Sequence, residues 1–199
     1  MWTMPPEWQP HTATWMGFPT SAYDTAGVSD DEVFDAWSTV ANTISEHEPV
    51  HMLCHPRRLT IAQKKVSSAV TLHAFEIDDA WMRDSGPTFV MGEQGLGGVD
   101  WIFNGWGDHT EFDWSQDAKV ASHIIELTGS KRLGSELVNE GGGIHVNGHG
   151  DVLLTRTVQL DSGRNPSATE DTVEAEVHQK LGTERAIWFD RGLWREADP

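Results

Sequence analysis

The chain is short of thiols, tyrosine and positive charge. It has 199 residues with one Cys, one Tyr and 14 Lys plus Arg against 31 Asp plus Glu, a formal net charge of -17. A single cysteine excludes an internal disulfide and fits a reducing compartment. So strong an acidic excess repels phosphate, so no nucleic-acid partner is expected. It is compatible with a small cationic ligand, although acidic surfaces commonly serve solubility alone. No apolar run approaches the ~18 residues a membrane helix needs, and no membrane partner is expected. The opening Met1-Trp-Thr-Met-Pro-Pro6 has neither the basic region nor the apolar core of a signal peptide. The expected location is cytoplasmic.

What is present is an alternation of short apolar runs and helical patterns, the signature of an α/β protein. Strands are expected over 13–18, 50–54, 70–77, 88–91, 99–103, 144–146, 152–155 and 186–189. Ser29 and Glu32 have capping-box spacing, and Val33, Trp37, Val40 and Ile44 mark the buried face of the helix that follows. Pro56 opens a second helix with Leu59, Ala62, Val66 and Ala69 inward. Asp113–Thr128 reads as a third, resting on Trp114, Ala118, Ala121 and Ile125 and closed by Gly129. Ser167 and Glu170 repeat the capping-box spacing ahead of Val173, Val177 and Leu181, with Gly182 as the stop. The four glycines of Gly92–Gly98 read as a turn, and Asn147-Gly148 as a hairpin. At this length one domain is the default. Neither a dinucleotide fingerprint nor a P-loop occurs.

The stretch that carries chemistry is Phe75-Glu-Ile-Asp-Asp-Ala-Trp-Met-Arg-Asp-Ser-Gly-Pro-Thr-Phe-Val90. Three carboxylates, Asp78, Asp79 and Asp84, fall on one loop between strands, with Trp81 and Arg83 among them. Such a loop is a natural place to hold a ligand. Taken alone, Arg83-Asp84 also reads as an ion pair capping a strand end. Glu140 precedes three glycines, and Trp106 stands between two. His145 and His149 have a zinc-like spacing, but Asn147-Gly148 puts them on either side of a turn with no third ligand, so no metal is expected. Cys54 lies in an apolar strand and reads as a buried structural thiol, although His51 and His55 are close enough in sequence to activate it.

Five segments together resemble the agmatine deiminase branch of the guanidine-modifying (pentein) superfamily, which also includes bacterial peptidylarginine deiminase. They are Met4-Pro-Pro-Glu-Trp-Gln-Pro-His-Thr-Ala-Thr-Trp-Met-Gly-Phe-Pro19, Asp79-Ala-Trp-Met-Arg-Asp-Ser-Gly-Pro87, Asp100-Trp-Ile-Phe-Asn-Gly-Trp-Gly107, Glu140-Gly-Gly-Gly-Ile-His-Val-Asn-Gly148 and Gly163-Arg-Asn-Pro166. The resemblance implies a β/α-propeller of ββαβ-type units, here a partial one, with residues 1–199 forming a single, incomplete catalytic domain. It implies hydrolysis of a guanidinium to a ureido group with release of ammonia, by a cysteine thiolate and without cofactor or metal. Agmatine is the implied substrate, and a homodimer is a possible assembly. By match to the family's motifs, Asp84 grips the guanidinium, Trp81 walls the pocket or stacks on the guanidinium face, and Glu140 orients a catalytic histidine; Trp106, between its glycines, either lines the pocket or packs. The family's Gly-His-X-Asp segment and its nucleophilic cysteine have no counterpart in these residues, and Cys54 matches no catalytic position. The expectation is therefore a truncated chain without activity of its own, alternatively a guanidinium-binding or interaction fragment, or part of a full-length parent with peptidylarginine deiminase-like activity.

Overall fold

The computed structural model describes residues 1–20, 27–108 and 113–192. Their strands are β1 (Trp2–Thr3), β2 (Thr14–Phe18), β3 (Val50–Cys54), β4 (Val70–Ala74), β5 (Thr88–Gly92), β6 (Gly95–Ile102), β7 (Lys131–Val138), β8 (His145–Val146), β9 (Asp151–Thr155) and β10 (Arg185–Phe189). The fold is mixed α/β, and the chain divides into two compact units. None of the helices among the described residues is long and apolar enough to cross a membrane.

The first unit comprises Pro10–Met82 and Trp114–Asp117. Its sheet is parallel, in the order β2-β3-β4. Side chains alternate across a strand, so Phe18, Val50, Met52, Cys54 and Val70 share a core with Phe34, Ala41 and Ala62 from the helices. Trp15, His51 and His73 belong to the opposite set, Trp15 stacking on both imidazoles. The helix Asp30–Ser45 starts at the expected capping box of Ser29 and Glu32. Its buried face is rotated from the expected one. Val33, Phe34, Ser38 and Ala41 are buried while Val40 is 50% exposed. At about 100° per residue the face centres near Ala41, and Val40 points about 100° away from it.

The second helix is shorter than its sequence pattern. A 3₁₀ turn at Pro56–Arg58 leads into Leu59–Lys65. Asn42 then takes over the terminal backbone groups, donating to the Lys65 carbonyl at 3.1 Å and accepting from the Ser67 amide at 2.6 Å. Val66 ends the helix and Ala69 is exposed. The strand expected over 70–77 stops at Ala74, because its partner β3 ends at Cys54 before the His55-Pro56 turn.

The second unit comprises Met1–Gln9, Arg83–Asp113 and Ala118–Pro199. One sheet has the order β1-β5-β6-β7 and the other β10-β9-β8. Val90, Val99, Trp101, Ile144, Val146, Val152, Leu154, Val173, Val177 and Leu181 form its core. The helix Glu170–Leu181 supplies the last three, and Gly182 ends it in the left-handed region. The N-cap is Thr169 with Thr172, not Ser167 with Glu170. Residues 165–168 instead form a turn closed by the Ala168 amide on the Asn165 carbonyl. The third helix is Val120–Thr128, capped by Gly129 as expected. It begins well after Asp113: the amides of Gln116 and Asp117 donate to Asp78, and a 3₁₀ turn, Asp117–Lys119, precedes the helix.

The glycine-rich stretch is mostly strand. Gly92 pairs with Gly95 across Glu93-Gln94, and Gly97 and Gly98 lie inside β6. They are required by packing: a Cβ on Gly98 would sit 2.6 Å from the Ile125 side chain. β7 was not expected as a full strand, because Lys131-Arg-Leu-Gly-Ser-Glu lacks an apolar run. The Asn147-Gly148 hairpin forms, with β8 antiparallel to β9.

Within the first unit, Asp117 and Asp78 exchange bonds. Asp117 accepts from the amides of Asp78 (2.9 Å) and Asp79 (3.1 Å), while Asp78 accepts from those of Gln116 (2.7 Å) and Asp117 (3.3 Å). Burial pushes the Asp117 carboxyl up to about 7, and the neighbouring carboxylates add to the rise. Between its ordinary value of 3.8 and about 7 the folded state holds a proton that the unfolded state has released. Stability should therefore fall as pH rises through that window, by at most about 1.4 kcal/mol per pH unit, and level off above it. Thermal unfolding of wild type and Asp117→Asn between pH 4 and 8 checks this; the variant should lose that part of the slope.

Candidate functional site

The site is built in the second unit from three backbone turns and one loop. Asp84 sits in the single turn Met82–Ser85. Its Oδ1 accepts from the Gly142 amide and its Oδ2 from the Trp106 indole N–H, each at 3.2 Å. Both oxygens are thereby fixed in orientation. A carboxylate offers about four lone-pair sites, so a planar donor can still be met.

Trp106 is held in an uncommon conformation. Gly105, Trp106, Gly107 and Asp108 all have positive φ, of 67°, 61°, 93° and 60°. Left-handed backbone at a non-glycine residue costs about 1–2 kcal/mol. Asn104 holds the turn from both ends: its side chain accepts from the Gly107 amide (2.9 Å) and its carbonyl from the Asp108 amide (2.9 Å). Phe103 meets the indole edge-on at 5.3 Å. The result is an indole N–H aimed at Asp84.

Glu140 leads into the 3₁₀ turn Gly141–Gly143 and is 3% exposed. The Arg164 Nε lies 2.9 and 3.2 Å from its two oxygens. Burial pushes the Glu140 carboxyl above its ordinary range; Arg164 opposes the rise and Asp84 adds to it. Glycine at 142 is a matter of space, because a Cβ there would lie 2.6 Å from Asp84 Oδ1.

The loop 161–165 ties these parts together. Asp161 accepts from the amides of Gly163 (2.9 Å) and Arg164 (3.0 Å). The Gly163 carbonyl accepts from Asn104 at 3.0 Å, and a Cβ at 163 would lie 2.1 Å from the Gly107 carbonyl oxygen. Asn165 accepts from the Val138 amide (3.0 Å) and donates to the carbonyls of Val138 (2.9 Å) and Gln159 (3.0 Å).

Of the residues singled out from sequence, Asp84, Trp106 and Glu140 come together here. Trp81 lies in the first unit and is 42% exposed. Asp78 and Asp79 do not extend the carboxylate set of this site. Asp78 is engaged by backbone amides, and Asp79 accepts from the Ala80 amide at 2.7 Å. Arg83 forms its ion pair with Glu7, at 2.7 and 3.2 Å. Sequence reasoning assigned no role to Arg164 or Asn165, although the Gly163-Arg-Asn-Pro166 segment was the available signal. No cluster of three or more metal-ligating side chains occurs among the described residues.

Residues 3–198 match the profile of the Porphyromonas-type peptidyl-arginine deiminase family. The chain belongs to this family. A Streptomyces coelicolor relative, provisionally named an agmatine deiminase, is 49% identical over 197 residues, covering 96% of this chain and 57% of its own length. An Ectopseudomonas mendocina protein named agmatine deiminase is 35% identical over 199 residues, covering 97% of this chain and 54% of its own. A solved structure of the agmatine deiminase of Enterococcus faecalis superposes with a TM-score of 0.88 at 32% identity, over 94% of this chain and 52% of that one. This deiminase-family chain therefore spans little more than half the length of the relatives it matches.

Cys54, the sole thiol of this deiminase-family sequence, is fully buried in the first unit, where burial pushes it up to about 12 against a smaller opposing effect of Arg58. At pH 8 its thiolate fraction would be on the order of 10⁻⁴, and the thiolate is the nucleophile. In the native protein at pH 8 Cys54 should resist iodoacetamide, and it should become reactive in guanidinium chloride. Rapid alkylation of Cys54 in the folded protein, located by peptide mass spectrometry, would contradict the buried assignment.

Proposed function

We propose that the protein carrying this chain is an agmatine deiminase and that the Asp84 site holds the substrate guanidinium. The observation that carries the reading is the fixed Asp84 carboxylate, both oxygens anchored, beside the buried Glu140–Arg164 pair. A guanidinium is a planar fork of N–H donors, and an oriented carboxylate meets it with charge and geometry together. Holding it still presents the central carbon for attack. The names of the relatives favour agmatine over peptidylarginine or free arginine.

In this reading a cysteine thiolate adds to the guanidinium carbon, and the C–N bond breaks with ammonia leaving after protonation by a histidine. Water then cleaves the C–S bond. Agmatine plus water thus gives N-carbamoylputrescine, a step towards putrescine, and ammonia. Glu140 orients that histidine, and Trp106 bounds the substrate. The histidine and the nucleophile are assigned to sequence matching the part of the relatives that this chain does not cover. Residues 1–199 would then form part of one catalytic domain, a β/α-propeller of ββαβ-type units, in a cytoplasmic enzyme.

A second reading is a guanidinium-binding protein without turnover: the Asp84 carboxylate, anchored at both oxygens, can hold a guanidinium whether or not a nucleophile reaches it.

The test is turnover of agmatine, arginine and a benzoyl-arginine amide by the intact protein, with ammonia release as the readout. We expect kcat/KM for agmatine at least about tenfold above the others. Loss of one charge-assisted contact is worth about 1.5–3 kcal/mol, so Asp84→Asn should lower kcat/KM for agmatine by about 10- to 100-fold. Agmatine hydrolysed no faster than arginine would overturn the substrate assignment. Calorimetric binding of agmatine that Asp84→Asn abolishes, without ammonia release, would select the second reading.

A further inference from the structure

We propose that Arg164 is a positioning residue that sets the charge of the substrate site: its Nε–H reaches both oxygens of the Glu140 carboxylate and lets Glu140 carry its charge beside Asp84. The inference rests on the reading of Asp84 and Glu140 as the site.

The geometry is that of a built-in counter-ion. The Arg164 side chain is 10% exposed, and its Nε lies within hydrogen-bond reach of both Glu140 oxygens. Asp161 lies behind it, 3.7 Å from Nη1. The backbone beneath Arg164 is pinned on two sides. Gly163 is bonded to Asn104 of the segment that presents Trp106, and Asn165 is bonded to Val138, two residues before Glu140. The loop that places Arg164 therefore also joins the two chain segments whose side chains frame Asp84. A surface ion pair has no such requirements.

The electrostatics give this placement a consequence. Two charged groups act on Glu140 with opposite signs, Arg164 from the 161–165 loop and Asp84 from the turn Met82–Ser85. Two neighbouring carboxylates cannot both remain ionised in a poorly solvated site unless a cation meets them. Formally, two carboxylates and one guanidinium leave one negative charge, which a monocationic guanidinium neutralises. Without Arg164, burial and Asp84 would act on Glu140 unopposed and favour its protonated form. It would then donate where the charged form accepts, and could no longer stabilise an imidazolium. Lysine is an imperfect substitute, because an ammonium on a flexible stem lacks the planar, delocalised guanidinium that the 161–165 loop holds in place.

The test compares wild type, Arg164→Gln and Arg164→Lys in the intact protein by two independent readouts. The first is carboxylate titration followed by infrared difference spectroscopy, with Glu140→Gln identifying the band. It needs no turnover. We expect the Glu140 titration to move up by at least one pH unit in Arg164→Gln and by less in Arg164→Lys. The second is the pH profile of kcat/KM for agmatine. The acidic limb should move to higher pH in the same order, with activity in Arg164→Gln partly recovered as pH rises. An unshifted Glu140 titration in a folded variant would overturn the proposal. So would a uniform loss of activity across pH with the limb in place, which is what a merely structural role predicts. Should Arg164→Gln fail to fold, Arg164→Lys decides: a raised Glu140 titration supports the proposal and an unchanged one overturns it. Wild-type protein that turns over no agmatine at any pH would remove the proposed function, while the infrared titration would still decide the role of Arg164.

Discussion

A carboxylate as deeply buried as Glu140 keeps its charge only against another charge, and the local structure converges on providing one. Taking an ion out of water costs several kcal/mol, and removing one partner of a buried pair typically costs about 3–5 kcal/mol. Arg164 meets Glu140 with two close contacts, but only because its backbone is held from elsewhere. Asp161 bends the chain beneath it, Gly163 allows the carbonyl of Gly107 to approach, and Asn165 grips both backbone groups of Val138. The Gly163-Arg164-Asn165 segment is thus compact in sequence because each residue has a separate structural task. Glycine gives space, arginine gives charge, and asparagine gives a backbone-like pair of donor and acceptor.

The same loop explains why a strained turn is tolerated nearby. Trp106 and Asp108 are non-glycine residues with positive φ. Strain of this kind persists only where the surroundings over-determine it, and it is often found at functional sites. Here Asn104 closes the turn from both ends and Gly163 packs against it. What the strain achieves is directional. An indole donates one hydrogen bond along one vector, and in this conformation that vector ends on Asp84.

The sequence made the elements legible where local chemistry decides, and failed where a distant partner decides. The Ser29 capping box, the Gly129 and Gly182 stops, the fully buried Val173, Val177 and Leu181, and the Asn147-Gly148 hairpin all follow from spacing alone. The end of the second helix did not, because it depends on Asn42, far away in the chain. Nor did the role of Gly97 and Gly98, which look like turn residues until neighbouring side chains occupy the space over them. For the site, Asp84, Trp106 and Glu140 were each visible as unusual residues beside glycine or a chain break. Their joining was not visible, since it runs through Arg164 and Asn165, more than 20 positions away from Glu140. The three carboxylates of the 78–84 segment looked like one cluster, yet Asp78 and Asp79 are engaged by backbone amides.

Asp117 and Glu140 show why a perturbed carboxyl does not by itself mark a site. Both are almost fully buried, and in both burial is the leading cause of the upward shift. Their partners differ in kind. Asp117 accepts from two backbone amides that belong to the turn it stabilises, so its chemistry is used up in holding one segment to another. Glu140 faces a guanidinium whose own placement takes a whole loop, and it stands beside a second carboxylate with lone pairs to spare. Desolvation is common to structural and functional acids. What separates them is whether the compensating group closes the local network or leaves a net charge directed at space that a cation could fill. Asp117 is of the first kind. In the proposed function the Asp84–Glu140–Arg164 group, two carboxylates and one guanidinium, is of the second.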